Sequence, residues 1–219
     1  MKSNDFLIEA RDDVELAFEY ERKYHIPATD ALQAIYIKNN CQPFLQACKN
    51  IDDPFILYRG VNAEKTFIDK EVRLTDRRPL NMDRLLHQKI NAYLDDNYGH
   101  PYRNAMFCTG SLENADYGTH TYWVFPKGNY DFLYSNNTFY DDLYMAWQKW
   151  SAGQQMPKFK MIQQDDIVDR FLSKANYQSD SIVNAAASHS EIMMWCDGYY
   201  GIRSDYDYWE ELTEIMNEK

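Results

Sequence analysis

The sequence predicts a single α+β domain. Apolar residues at helical spacing come first along the chain, and short apolar strand segments with interrupting helices follow, an order typical of that class. A chain of 219 residues suits one domain. A domain of this size buries roughly 70% of the surface of its unfolded chain, so the fold needs no disulfide or metal to hold it. No repeat, low-complexity tract or linker divides the sequence.

Two helices are expected in the N-terminal part, residues 1–50. Residues 5–25 carry apolar side chains at an imperfect helical period, and Pro27 ends that segment. Residues 29–49 have the broad apolar stripe of a second helix, which Pro43 is expected to kink or split. An Asp-Asp-Pro turn that begins at Asp52 then leads into the strands.

The central part is predicted to alternate strands and helices. Short apolar runs predict strands at residues 55–58, 105–109, 121–125 and 130–134, whereas residues 62–80 are polar and expected to be irregular.

Two helices interrupt these strands. The first is predicted from its N-cap at Asn81 to about Tyr98, with Gly99 just after its end. The second opens at Thr138, with Asp141 and Asp142 in its first turn, and runs to about Trp150.

In the C-terminal part, a loop is expected over residues 151–160 and a short helix over residues 165–174. Strands are predicted at residues 192–195 and 199–202, joined as a hairpin around Asp197-Gly198. The last turns, residues 208–217, are acidic and compatible with a helix.

The net charge of −11 removes the general attraction to polyanions that basic proteins have, so any contact with nucleic acid must be local. Arginines do cluster at Arg73, Arg77, Arg78 and Arg84. The acidity fits either docking of a basic partner or solubility alone.

The four cysteines form no Cys-x-x-Cys pair, and no histidine spacing completes a zinc site, so no metal is predicted. Cys41 and Cys48 are expected on one face of a helix, in packing roles. Reduced thiols, together with an N-terminus without an apolar leader and no apolar run of membrane-spanning length, predict a cytoplasmic protein with no membrane contact.

Three short segments, far apart in the chain, carry the candidate chemistry. They are residues 58–60 (Tyr-Arg-Gly), residues 107–112 (Phe-Cys-Thr-Gly-Ser-Leu) and residues 190–194 (Ser-Glu-Ile-Met-Met). Arg59 and Glu191 lie beside apolar strands, where an unpaired charge needs a partner or a ligand. Taken singly, each segment also fits a structural role, as a strand-end ion pair, an ordinary turn or a solvated carboxylate. Together, the guanidinium group of the first segment, the hydroxyl groups of the second and the carboxylate of the third suit a ligand with a diphosphate and a ribose.

The order and spacing of these segments resemble the mono-ADP-ribosyltransferase superfamily, in its arginine–serine–glutamate branch, over roughly residues 30–203. The resemblance implies a split antiparallel β-sheet core with N-terminal helices. It divides the chain into a helical part (1–50), an NAD⁺-binding catalytic core (51–203) and an acidic C-terminal tail (204–219). It also implies a toxin- or phage-type enzyme that cleaves NAD⁺ at the nicotinamide–ribose bond and transfers ADP-ribose to a macromolecule, without a metal.

The resemblance assigns cofactor binding to Arg59 and Gly60 in the first segment. It assigns shaping of the pocket to Thr109 and Ser111 in the second, and Tyr117 is our choice for stacking on nicotinamide.

In the third segment, the resemblance makes Glu191 the catalytic residue, which stabilises the positive charge that develops on the ribose. Gly110 stands where the family has Thr, and this departure weakens the match.

A second departure concerns the acceptor. Arginine-modifying members carry Glu two residues before the catalytic Glu, whereas this chain has His189. A histidine can act as a base near neutral pH, which favours a nucleobase amine or a protein hydroxyl over arginine. The expected partners are therefore RNA or another nucleic acid, or a protein, together with an antitoxin if the enzyme is made inside its own cell. The alternative is a degenerate relative that binds a partner or nucleotide without catalysis.

Overall fold

The computed structural model describes residues 3–51, 53–75, 77–79, 82–115, 117–137, 139 and 142–218, with side chains from residue 11 onward. The helices are α1 (Ser3–Tyr24), α2 (Ala28–Asn40), α3 (Gln42–Cys48), α4 (Arg84–Tyr98), α5 (Leu143–Ala152), α6 (Lys158–Ile162), α7 (Asp165–Leu172), α8 (Ile182–Ala187) and α9 (Trp209–Asn217). The strands are β1 (Tyr58–Val61), β2 (Phe67–Glu71), β3 (Met106–Cys108), β4 (His120–Pro126), β5 (Asp131–Ser135), β6 (Tyr177–Gln178), β7 (Ile192–Trp195) and β8 (Gly198–Arg203).

Within the described residues, the strands form two antiparallel sheets. The first has the order β1-β4-β8-β2 and the second the order β3-β7-β5-β6. The sheets meet at an isolated bridge between Tyr58 and Thr109, whose backbone N–H groups each donate to the other's carbonyl at 2.7 and 3.0 Å. Helices and antiparallel sheets in one chain confirm the α+β prediction.

The second sheet lies between two hydrophobic cores. Ile192 and Met194 face the core that α2, α3 and the first sheet also line. Met193 faces the other core, built mainly from α4, α5 and α7, together with its cross-strand partner Leu133. Because both faces of β7 are buried, its sequence is continuously apolar instead of alternating. The polar Glu191 therefore lies directly at the start of a buried strand.

Several predicted strands are confirmed with small shifts at their ends, namely β3, β4, β5 and β7. β1 begins three residues later than predicted, so Arg59 and Gly60 lie inside the strand, not beyond its end. β2 occupies part of the segment expected to be irregular, and α6 begins inside the predicted loop 151–160. β6 and α8 were not predicted. β2 and β6 are edge strands with few buried residues, which leaves little apolar pattern in their sequences.

The predicted hairpin between β7 and β8 is wrong. β7 pairs with β3 and β5 in the second sheet, whereas β8 pairs with β4 and β2 in the first. The chain crosses from one sheet to the other at Cys196 and Asp197. The single helix expected over residues 29–49 is split, as Pro43 allowed: Cys41 lies between α2 and α3 and Cys48 is the last residue of α3, so the two thiols do not share one helix. All four cysteines are free and buried.

The helix starts near the cleft are fixed by aspartate caps. Asn81 lies outside the described residues, and Asp83 caps α4 by accepting from two first-turn N–H groups at 2.8 and 3.2 Å. Thr138 and Asp141 also lie outside, as does Asp52 of the predicted turn. Asp142 caps α5, with its carboxylate accepting at 2.9 Å from a first-turn N–H.

The C-terminal segment, predicted as an acidic tail whose residues 208–217 are compatible with a helix, contains a docked helix. α9 packs against α2 and buries Leu212, Ile215 and Met216. Across the described ranges, we find no helix that is both long and apolar enough to cross a membrane.

Candidate active site

A cleft lies where the two sheets meet. Its first part, here called lobe one, has a volume of about 380 Å³. The predicted residues among those that line lobe one are Arg59, Thr109, Tyr117, His189 and Glu191.

The adjoining lobe two has a volume of about 570 Å³ and shares Arg59, Tyr117 and Glu191 with lobe one. Gly60 lines lobe two. Both volumes lie in the range of about 300–1,000 Å³ that is typical of small-molecule sites. Ser111 is not among the described residues that line either lobe.

Arg59 projects from β1 into both lobes. One terminal nitrogen donates to the Phe107 carbonyl, and its guanidinium carbon lies 6.0 Å from the centre of the Tyr199 ring. Its Nε is buried and has no hydrogen-bond partner in the described part of the chain. A charged donor that is buried without a partner is costly, so the site favours an anion at this position.

Gly60 lies next to Arg59 and contacts the loop that carries Tyr117. A Cβ at Gly60 would lie 2.6 Å from the Ala115 carbonyl oxygen, closer than side chains tolerate. The absence of a side chain at Gly60 therefore lets β1 pack closely against the protein's own backbone, and not against a ligand. This contact places Tyr117, whose side chain is 64% exposed, at the rim of both lobes.

Thr109 ties the second segment to the third. Its buried hydroxyl donates to the His189 carbonyl at 3.0 Å and accepts from the Ser111 N–H at 3.2 Å. Asn114 donates to the same His189 carbonyl at 3.1 Å. His189 has a left-handed backbone with φ of 59° and an exposed side chain, so these two donors hold a strained turn just before Glu191.

Close packing against α8 explains why position 110 is a glycine. A Cβ there would lie 2.6 Å from the Cα of Ala186, in α8, and closer still to its carbonyl group. The Thr of the family's motif therefore has no room at this position in this chain.

Glu191 is paired with Arg103. Their closest oxygen and nitrogen are 2.5 Å apart, with 23% and 11% of the two side chains exposed. Loss of solvent raises the pKa of Glu191 above its usual range, against the lowering effect of Arg103 and Arg77. Asp142, which lines both lobes, adds a like charge that also raises this pKa.

Three guanidinium groups surround Phe107. Those of Arg77 and Arg103 lie 4.2 and 4.4 Å from the ring centre, and that of Arg59 bonds to the Phe107 carbonyl. Burial lowers the pKa of Arg77 to about 10, with a further lowering by Arg59 and Arg103, so Arg77 remains a cation at neutral pH. The Nε of Arg103, like that of Arg59, is buried without a partner among the described residues.

α4 holds Arg103 in place. Asn91 accepts from the Arg103 backbone N–H at 2.8 Å and donates to Asn104 at 3.1 Å. His87 completes this polar group by its contacts of 3.3 and 3.2 Å with Asn104 and Asn91. Burial lowers the pKa of His87, which favours its neutral form and a structural role.

Sequence reasoning missed the roles of Arg77 and Asp142 at the cleft. Arg77 belongs to a basic cluster visible in the sequence, but nothing local connects it to Phe107. Asp142 was predicted in the first turn of a helix that opens at Thr138; it instead caps α5, which begins at Leu143, and it lines both lobes. The pairing of Arg103 with Glu191 depends on contacts far apart in the sequence.

Comparison of the chain with protein-family models, curated proteins and solved structures finds no match. Among the described residues, no group of histidine, cysteine and carboxylate side chains has the arrangement of a metal site.

Proposed function

We propose that this chain is an NAD⁺-dependent mono-ADP-ribosyltransferase of toxin or phage type. One observation carries the proposal: Arg59, Arg77 and Arg103 converge around Phe107 beside Glu191, the carboxylate that pairs with Arg103. Lobe two, with four arginines and two carboxylates among its described lining residues, thus has more positive than negative charge. A ligand with a diphosphate next to a ribose matches that arrangement.

The residues fit the diphosphate of NAD⁺. Arg59 and Arg103 both line lobe two, and the buried Nε atom of each lacks a partner among the described residues, so an anion in lobe two would meet the positive charge of both guanidinium groups. Arginine is suited to this role because its planar fork donates two parallel hydrogen bonds to a phosphate. Arg77 contributes charge from the same side of the cleft.

Glu191 has the position for electrostatic catalysis. Bound NAD⁺ would supply a ribose carbon whose bond to nicotinamide breaks as ADP-ribose passes to the acceptor. Glu191 can accept a hydrogen bond from a ribose hydroxyl and face positive charge on the sugar, as carboxylates do in glycoside cleavage. Arg103 opposes the effect of burial and favours the ionised carboxylate that this role needs.

His189 is proposed to receive the acceptor. Its side chain is exposed at the edge of lobe one, and its backbone carbonyl is fixed by Thr109 and Asn114. An imidazole can take a proton from an amine or hydroxyl, and it lacks the carboxylate charge that would attract a guanidinium. The acceptor is a nucleic acid such as RNA, or a protein. A cell that makes this enzyme in its own cytoplasm would need a partner protein that neutralises it.

The split between two antiparallel sheets, with helices at the N-terminal end, supports an ADP-ribosyltransferase-like core. A second candidate is a binding module without catalysis. It is favoured by the Arg103–Glu191 pair, because a carboxylate engaged by a guanidinium is less available to a ribose.

Labelled NAD⁺ separates the two candidates. The protein is incubated with cell extract and NAD⁺ labelled in the adenylate part, and the macromolecular fraction is then treated with nuclease or protease. We expect label that one of the two enzymes removes, and no label with the Glu191→Gln variant. Absence of label from the macromolecular fraction, with NAD⁺ left intact, would support the binding module instead.

A further inference from the structure

A groove rich in arginine continues from lobe two. It has a volume of about 650 Å³ and is here called the arginine groove. The residues that line it are Arg73, Arg77, Arg78, Pro79, Met82, Arg84, His87, Gln88, Asn91 and Asn104.

The arginine groove has no carboxylate among the described residues that line it. Arg73, Arg78 and Arg84 are exposed, and none of them forms a salt bridge within the described part of the chain. Among the exposed arginines described elsewhere, Arg11 pairs with Glu15, whereas Arg22 and Arg170 form no salt bridge, so the lining without a carboxylate is what distinguishes the groove. Within the described residues, the groove is therefore a strip of four arginines with no carboxylate in its lining.

This strip stands out against the charge of the whole chain. The net charge is −11, yet six of the ten arginines line lobe two or the arginine groove. Because the chain as a whole does not attract polyanions, only an anionic ligand that reaches this strip meets concentrated positive charge. The groove and lobe two share Arg77, Arg78 and His87, which makes the two spaces neighbours.

We infer that the arginine groove binds a single strand of nucleic acid and holds it beside Glu191 as the acceptor. The inference rests on the proposed function, since it names the acceptor class of the same site. Several phosphates in series match several guanidinium groups in series, because each can form a bidentate pair.

The groove favours nucleic acid over an acidic protein. Guanidinium planes stack on unpaired bases, and the exposed Gln88 amide can donate to and accept from base edges. The strand must be unpaired, because a base enters an active-site cleft only after it leaves a duplex.

The test measures strand binding without NAD⁺, so that its result is independent of catalysis. Fluorescence anisotropy is recorded for labelled single-stranded RNA of about 20 nucleotides between about 50 and 200 mM salt. Single-stranded DNA, duplex RNA and polyglutamate serve as competitors. The double variant Arg73→Glu/Arg84→Glu is compared with Arg170→Glu, an exposed arginine on α7 that does not line the groove.

We expect RNA binding that weakens with salt. The double variant should bind at least about tenfold more weakly, with a salt slope lower by about 1.4, since each lost phosphate contact on a single strand removes about 0.7. Arg170→Glu should bind as the wild type does, and thermal melting checks that all variants fold. Preference for RNA or for DNA among the single strands identifies which strand the acceptor is.

Three results would overturn the inference: no binding of either single strand at low salt, equal weakening by Arg170→Glu, or better competition by polyglutamate than by RNA. If strand binding fails while ADP-ribose transfer persists, the acceptor assignment alone is wrong. If strand binding holds while NAD⁺ stays intact in the labelling experiment, the proposed transferase activity is wrong.

Discussion

Gly110 offers the sharpest test of how the cleft is built. In Gly110→Ala the new Cβ would lie 2.6 Å from the Cα of Ala186, and ordinary contact begins at 3.4 Å. The obstacle is helix backbone instead of a flexible side chain, so α8 would have to retreat by about 0.8 Å from this atom alone. The same movement would disturb the bond from Thr109 to the His189 carbonyl, which lies between α8 and Glu191.

Overpacking of a rigid interior costs typically about 1–3 kcal/mol, and a backbone obstacle belongs at the upper end. We therefore expect Gly110→Ala to lower the free energy of unfolding by about 3 kcal/mol. For a domain of this size, that loss lowers Tm by about 6–12 °C. Gly110→Thr, which introduces the residue that the ADP-ribosyltransferase motif has at this position, should destabilise further and lower NAD⁺ cleavage.

Urea unfolding with linear extrapolation measures the loss, and Gly153→Ala is the matched control. Gly153 has ordinary helical geometry, and a Cβ there meets only the Trp150 carbonyl oxygen at 3.6 Å. Its substitution should be neutral, or stabilising by about 0.4–1 kcal/mol. A Gly110→Ala protein within about 0.5 kcal/mol of the wild type would refute the packing argument. Gly110 would then count only as a departure from the motif, which favours the binding module without catalysis.

Arg59→Ala should weaken NAD⁺ binding by about 2–3 kcal/mol in calorimetry, because a charged hydrogen-bond partner is lost; unchanged affinity in a folded variant would remove Arg59 from the site. The raised pKa of Glu191 means that its contribution to stability is present below its usual pKa and lost as the pH rises through the folded-state pKa. Glu191→Gln should therefore abolish NAD⁺ cleavage. At about pH 7 its Tm should equal or exceed that of the wild type, and any gain in Tm should fade toward about pH 4. A lower Tm at neutral pH would show that the pair with Arg103 stabilises the fold more than burial of the carboxylate destabilises it. His189→Ala should reduce transfer to the acceptor more than NAD⁺ hydrolysis, with agmatine a poor acceptor, and efficient agmatine modification would contradict the role of His189.

The three candidate segments illustrate what a sequence can predict about a site. Arg59, Thr109 and Glu191 each follow or interrupt an apolar run, and a polar residue in that position must be satisfied by something. That argument selected side chains that do meet in one cleft. Ser111 was selected by the same motif, yet it lines neither lobe among the described residues, since its backbone turns to bond with Thr109.

The sequence by itself determined the class of fold and most central strands. Most of the apolar runs of four or five residues in this chain, such as β7, form strands, because burial of the run stabilises extended chain on either face. Helix ends are likewise local, since an aspartate such as Asp83 bonds the N–H groups of the next turn. Such properties depend on neighbours in the chain and are therefore visible in a single sequence.

Only the tertiary structure decided which elements meet. β7 and β8 adjoin in sequence yet enter different sheets, because strand pairing is set by contacts between distant segments. The same holds for the site: Arg103 reaches Glu191 across 88 positions of the chain, and Gly110 is required by the backbone of α8. Charge neutralisation and close packing act through space, so no local pattern in the sequence records them.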